Sequence, residues 1–212
     1  MNAIRYTLLS DGSSDKTLLP VITWLLYQHC PQHPVYPQWA DLRRLVPPPQ
    51  GLPEKVRATM RLYPCDLLFV HRDAERVPQN KRVDQIRQAE HDSGIATVAV
   101  PLVPVRMTEA WFLFDEHAIR RAAGNPNGNV PLQFPPNPEE LPDPKARLHA
   151  LLKTASELSG RRLRKFREAT AVHRVAELIQ DFSPLRSLPA FNAFEDELRR
   201  ALSSFQCANQ ET

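Results

Sequence analysis

The sequence has few cysteines, few glycines and no long apolar run, and each shortage argues against a class of protein. Its three cysteines are Cys30, Cys65 and Cys207, and no two form a CxxC pair. Neither a disulfide framework nor a cysteine-built zinc site is indicated, and a reducing, cytoplasmic setting is the expectation. No stretch reaches membrane-spanning length, and the N-terminus lacks a basic segment followed by a long apolar core. A soluble chain with no membrane partner is expected. The six glycines build no glycine-rich phosphate loop. Without such a loop, a strand lysine motif or a DFG, His71-Arg72-Asp73 is not a kinase catalytic loop. None of the seven histidines falls in an HExxH-type metal pattern. A net charge of +3 is compatible with a nucleic-acid partner without demanding one.

What is present suits a folded α/β protein. The 212 residues are 42% apolar, enough for a core in one domain, or one domain with a helical appendage. Prolines, 21 in all, cluster in 30–53 and 125–144, which read as loops or rigid connectors. Ile4 to Ser10 reads as a first strand. The helix after it carries Leu18, Leu19, Ile22, Leu25 and Leu26, with Pro20 tolerated in the first turn if Thr17 is the N-cap. Trp39 to Val46 is a weak second strand and Gly51 to Tyr63 a helix. Cys65 to Asp73 holds the run Leu67-Leu68-Phe69-Val70, which suits a strand buried on both faces. A polar helix over 80–93 with Gly94 as its C-cap leads to a further strand over 95–103. Strand and helix alternate, which predicts a mostly parallel sheet flanked by helices. Thr108 could cap a short helix with Glu109 in its first turn. After the proline-rich loop the chain turns helical. One apolar face comprises Leu148, Leu151, Leu152, Ala155 and Leu158; a second comprises Phe191, Phe194, Leu198, Ala201, Leu202 and Phe205. The expected layout is an α/β domain over 1–124, a connector over 125–144 and a helical extension over 145–212 packed on that domain.

Chemistry gathers at two strand ends. Asp11-Gly12-Ser13-Ser14-Asp15 follows the first strand and Asp73-Ala74-Glu75 follows the strongest one. In open α/β sheets ligands bind at the C-terminal edge of the strands. If the two strands are neighbours, Asp11, Asp73 and Glu75 could meet there. Clustered carboxylates repel, and a divalent cation makes such a cluster tolerable. Oxygen donors suit Mg²⁺ or Mn²⁺ rather than zinc, and such ions typically act on phosphates. Taken singly, each stretch also reads as a turn, a helix cap or a solvated loop. Glu109 is favoured in a first helical turn by the helix dipole alone.

A strand, an acid, Gly-x-x-Asp and a helix, then a strand ending in acid-x-acid, resembles the TOPRIM domain of topoisomerases, primases and nucleases. The run from Val103 to Asp115 (VPVRMTEAWFLFD) resembles the hallmark of a bacterial TOPRIM-like family often encoded beside ATPases and associated with anti-phage defence. The resemblance covers roughly Ile4 to Phe205. It implies a TOPRIM-like α/β fold and a Mg²⁺-dependent nuclease that cleaves DNA or RNA, with an AAA- or ABC-type ATPase as partner. By the same resemblance Asp11 takes the acid–base position, Asp15 the Asp of the first motif, Asp73 and Glu75 the metal-binding and catalytic pair, and Glu109 the third acidic position. Two departures stand out: TOPRIM domains generally have Glu where this chain has Asp11, and Asp is commoner where it has Glu75. Either change could shift the metal or weaken catalysis.

Lys16, Arg72, Arg76, Lys81, Arg82 and Arg106 flank this acidic edge and could engage phosphates. The basic run Arg161 to Arg167 reads first as a solvated helix face, and second as a nucleic-acid contact. Trp111 and Phe114 read as core, and His71 as a strand-end residue. Two alternatives stay open. One is a TOPRIM-like scaffold or binding module without catalysis. The other is a receiver-like phosphoryl-transfer domain, which would need a lysine after a late strand where this chain has Pro104-Val105-Arg106.

Overall fold

A computed structural model describes residues 3–210, with backbone alone for 205–210. The side chains of Phe205 and Cys207 therefore lie outside the described part. The four strands are β1 (Ile4–Leu9), β2 (Val35–Trp39), β3 (Leu67–His71) and β4 (Ala99–Leu102). They form one sheet in the order β2-β1-β3-β4, with every pairing parallel. The expected parallel α/β sheet with flanking helices is what the chain forms. β1 and β3 are neighbours, with Leu9 beside Val70, so both strand ends open at the same edge.

Alternation along the strands divides the core between two faces. Tyr6, Leu8, Leu67, Phe69, Val100 and Leu102 face one side and join the larger cluster. Leu9, Leu68, Val70 and Ala99 face the other and pack with Val56 of α2 (Gly51–Leu62) and Ile86 of α3 (Gln79–Ser93). The larger cluster also takes in α1 (Leu18–His29), α4 (Glu116–Ala122), α5 (Pro144–Ser156), α7 (Glu168–Leu178) and α8 (Pro189–Gln210). The C-terminal helices thus share one core with the sheet. Ring contacts carry this across the two halves: Trp111 lies 5.3 Å from Phe191, and Phe69 6.0 Å from Phe194. Polar ties reinforce it. Glu195 of α8 is buried and takes His29 of α1 at 2.8 Å and Arg186 at 2.9 Å, while Arg87 of α3 pairs with Glu197 of α8.

Three element readings change. The second strand is Val35–Trp39 and ends where the sequence suggested it would start, with 40–46 irregular. It lies at the sheet edge and contains Pro37, which an edge strand tolerates because one row of its amides needs no partner. Thr17 does hold the N-cap position of α1, leaving Pro20 in the first turn as expected, but its hydroxyl donates back to the Ser14 carbonyl at 3.0 Å instead of capping the helix. The segment Thr108–Phe112 is a single 3₁₀ turn begun by Met107, not a helix capped by Thr108.

Gly94 ends α3 in the left-handed region at φ +66°, and a Cβ there would meet nothing within 4 Å. Its role is purely conformational. Gly94→Ala is expected to lower stability by about 1 kcal/mol, the cost of holding an L-residue left-handed. Urea unfolding checks this: the midpoint should fall with the slope unchanged.

Candidate active site

The loop after β3 is held by an extension of the β3–β4 pairing. Arg72 N–H donates to the Leu102 carbonyl, Ala74 N–H to Pro104 and Glu75 N–H to Arg106, at 3.0–3.2 Å. Glu75 and Arg106 then turn left-handed, at φ +53° and +61°, and end the ladder. Asp73 sits between two of these bonds, so its position is set by the sheet.

His71, the last residue of β3, is the hub beneath that edge. Its side chain is 4% exposed. Nε2 is 3.3 Å from Asp73 Oδ1, Nδ1 is 3.5 Å from Asp15 Oδ2, and Thr108 Oγ1 is 3.1 Å from Nε2. The Thr108 hydroxyl also donates to Asp73 Oδ1 at 3.4 Å. Burial pushes the imidazole pKa down, but the two carboxylates push it up further, and it rises to about 9. The ring is therefore an imidazolium at neutral pH, donating one N–H toward each carboxylate. Asp15 feels opposite effects: burial raises its pKa, while His71, the Gly12 amide and Ser14 lower it, and the net direction is down.

Asp15 also closes its own turn. It accepts the Gly12 N–H at 3.1 Å and the Ser14 hydroxyl at 3.2 Å. The cap reading of this residue and the site reading therefore hold together. Glu109 stands in the 3₁₀ turn with its carboxylate 12% exposed and Lys145 Nζ of α5 at 3.5 Å. Asp15, Asp73 and Glu109 all line one cavity of about 170 Å³. The opposite wall comes from the helices: Lys145 and His149 of α5, and Ala169, Val172 and His173 of α7. α5 packs on the 108–112 turn and α7 on the 13–17 turn, which closes the cavity between sheet edge and helices.

The other expected site residues lie elsewhere. Asp11 is 60% exposed and pairs with Lys55 of α2 at 2.6 Å. Glu75 is 68% exposed, turned out by its left-handed backbone, and faces Arg82 at 3.6 Å. Neither lines the cavity, although β1 and β3 are adjacent as required. Lys16, Arg72, Arg76, Lys81 and Arg106 do not line it either, and Lys16 stacks over Trp39 at 4.3 Å. Conversely, Lys145, His149 and His173 belong to the cavity but carry no motif, and Thr108, read as a cap within the 103–115 run, lines it as well. His71, read from the sequence as a strand-end residue, is that and also the hub of the site.

Carboxylate oxygens are what Mg²⁺ takes, and it usually binds through one or two of them while keeping several waters. Among the described residues, no three or more His, Cys, Asp or Glu side chains are grouped to hold an ion. Asp73 and Glu109, opening on one cavity, fit the smaller requirement. The four-acid set of Asp15, Asp73, Glu75 and Glu109 does not converge, because Glu75 faces outward. No protein-family model, curated protein or solved structure matches the chain.

Proposed function

We propose that this chain is a Mg²⁺- or Mn²⁺-dependent phosphodiesterase of the TOPRIM-like kind, cleaving DNA or RNA. The observation that carries it is the convergence of Asp15, Asp73 and Glu109, from three separate segments, on one cavity at the C-terminal edge of a parallel sheet. Asp73 and Glu109 would hold the ion, which when bound supplies charge neutralisation at a phosphate. The chain's own groups do the rest. His71 and Thr108 fix the Asp73 carboxylate through Nε2–H and the hydroxyl, leaving its remaining lone pairs to the cavity. Lys145, beside Glu109, faces the space a phosphate oxygen would fill. His149 and His173 offer imidazoles, the side chain that most often passes a proton in catalysis. The anti-phage setting and the ATPase partner remain proposals carried by the sequence resemblance alone.

A second reading is a TOPRIM-like scaffold without catalysis. It is favoured by the turning of Asp11 to Lys55 and Glu75 to Arg82, which withdraws two of the motif's acids from the cavity. One experiment separates the two: purified protein incubated with DNA and with structured RNA, in Mg²⁺, Mn²⁺ or EDTA. Cleavage in metal alone supports the phosphodiesterase; none in either metal supports the scaffold. In the same assay Asp11→Asn and Glu75→Gln are expected to stay within about fivefold of wild type, since exposed ion pairs are worth roughly 1 kcal/mol or less. A larger loss in either variant would return that acid to the active site.

A further inference from the structure

We propose that the basic surface formed by α6 (Gly160–Arg164), the segment after it and the outer face of α7 is the track along which a nucleic-acid backbone reaches the acid cavity. This rests on the phosphodiesterase reading for its direction, but not for its binding chemistry.

Arg161, Arg162, Arg164, Lys165, Arg167 and Arg174 are all exposed. Elsewhere about half of the arginines pair with acids, as Arg5, Arg43, Arg87, Arg120 and Arg186 do, and what sets this surface apart is the number of unpaired cations in one short stretch. Among the described residues, none of these six has an acidic side chain within 4.0 Å; the ion pairs of the neighbourhood are Lys153–Glu168 and Lys145–Glu109. Concentrated positive charge without internal partners repels itself, and a polyanion relieves it.

The surface is concave and continuous with the cavity. An open groove of about 880 Å³ runs along 164–170, and a second of about 320 Å³ on the other flank is lined by Arg162, Lys165, Arg167 and Arg174. Ala169 lines both the first groove and the acid cavity. The helix α7 sorts its residues accordingly. Ala171, Val172, Val175 and Ala176 enter the core, Val172 and His173 also line the cavity, Thr170 lines both grooves and Arg174 the second. Arg167 is the extended N-cap residue before α7, and Arg174 lies inside the helix two turns further on.

Residue type points to phosphodiester rather than membrane. Five of the six cations are arginine, whose planar fork matches phosphate oxygens in pairs. The large apolar side chains exposed among the described residues are Tyr27, Tyr36, Val46, Leu62 and Val130, and none lies on this surface to enter a bilayer.

The test is fluorescence anisotropy of a labelled single-stranded or duplex oligonucleotide with the full chain in EDTA, titrated over a range of salt. Arg162→Gln/Arg164→Gln/Arg167→Gln should lose at least about tenfold in affinity and flatten the log-affinity against log-salt slope by about 2, as expected for lost phosphate contacts. Arg174→Gln, on a separate element, should flatten it by about 1 by itself. Arg44→Gln/Arg57→Gln/Arg61→Gln removes as much charge elsewhere and should leave the slope unchanged. Binding lost in the groove variants while the wild type cleaves nothing in any metal supports the track and removes only the phosphodiesterase reading. Wild-type affinity and slope in the groove variants overturn the track, even if cleavage persists. A wild-type chain that ignores oligonucleotides but binds phosphatidylserine vesicles also overturns it.

Discussion

Asp73→Asn is expected to lower metal-dependent cleavage by at least about 10³-fold while leaving nucleic-acid binding within a few-fold, because it removes a charge that would hold the ion. Asp73 is the acid that both contacts the buried hub and opens on the cavity. Asparagine keeps its size and an oxygen for Thr108 and His71, but removes the charge facing the substrate. It also takes one of the two charges off His71, so a urea midpoint of the variant accompanies the single-turnover rates in Mg²⁺ or Mn²⁺ that measure the effect. EDTA should abolish wild-type activity to the same degree. An Asp73→Asn enzyme that cuts at the wild-type rate would remove the cavity from the mechanism, whatever its shape.

His71→Gln is expected to cost about 3 kcal/mol of stability, near the lower end for breaking a buried ion pair because the two carboxylates keep some access to water. The imidazolium also makes stability depend on pH in a defined direction. Its folded pKa, about 9, stands above the ordinary value of about 6.5. A raised pKa contributes stability that is complete below about 6.5 and lost as pH climbs through about 9, on the order of 3 kcal/mol in all. Asp15 contributes with the opposite sign. Its lowered pKa gives stability present above the ordinary carboxylate value of about 3.9 and lost on acidification. The clamp is thus complete between about pH 4 and 6.5. Urea unfolding of metal-free protein near pH 6 and near pH 9 measures the alkaline limb. Cys30 and Cys65, whose pKa values burial raises, weaken the fold at alkaline pH as well, so the His71→Gln chain is the necessary comparison. Equal stability of the wild type at both pH values would mean that the ring is not held charged.

The sheet and two of its strand ends were legible because burial on both faces leaves a plain signature: Leu67 to Val70 has no polar interruption, and β1 buries every residue but Arg5. Acids placed within a few residues after such runs emerge at one edge, and Asp15 and Asp73 line the cavity there. Asp11 and Glu75 show where that logic stops. A residue one position off in a loop takes its direction from local backbone and available cations, and Lys55 and Arg82 decided both. β2 was misplaced because Pro34 and Pro37 hide an edge strand from pattern reading. His71 and Thr108 were undervalued for a different reason. A lone histidine and a lone threonine have no spacing to recognise, and their meaning comes from meeting across the β3–β4 connection. Lys145, His149 and His173 reach the cavity only through the packing of α5 and α7 on the sheet edge, a tertiary fact with no local trace.

The hydrogen bonds that run on past β3 and β4 give the loop carrying Asp73 the character of sheet. Loops that close over a substrate usually draw on the least stable parts of a protein, opening at little cost on fast timescales. Here the acid wall cannot swing without unzipping the ladder from its end at Glu75 and Arg106. The opposite wall is no looser, since α5 and α7 bury Leu148, Leu151, Leu152, Val172 and Val175 in the main core, so the cavity is framed by packed structure on both sides.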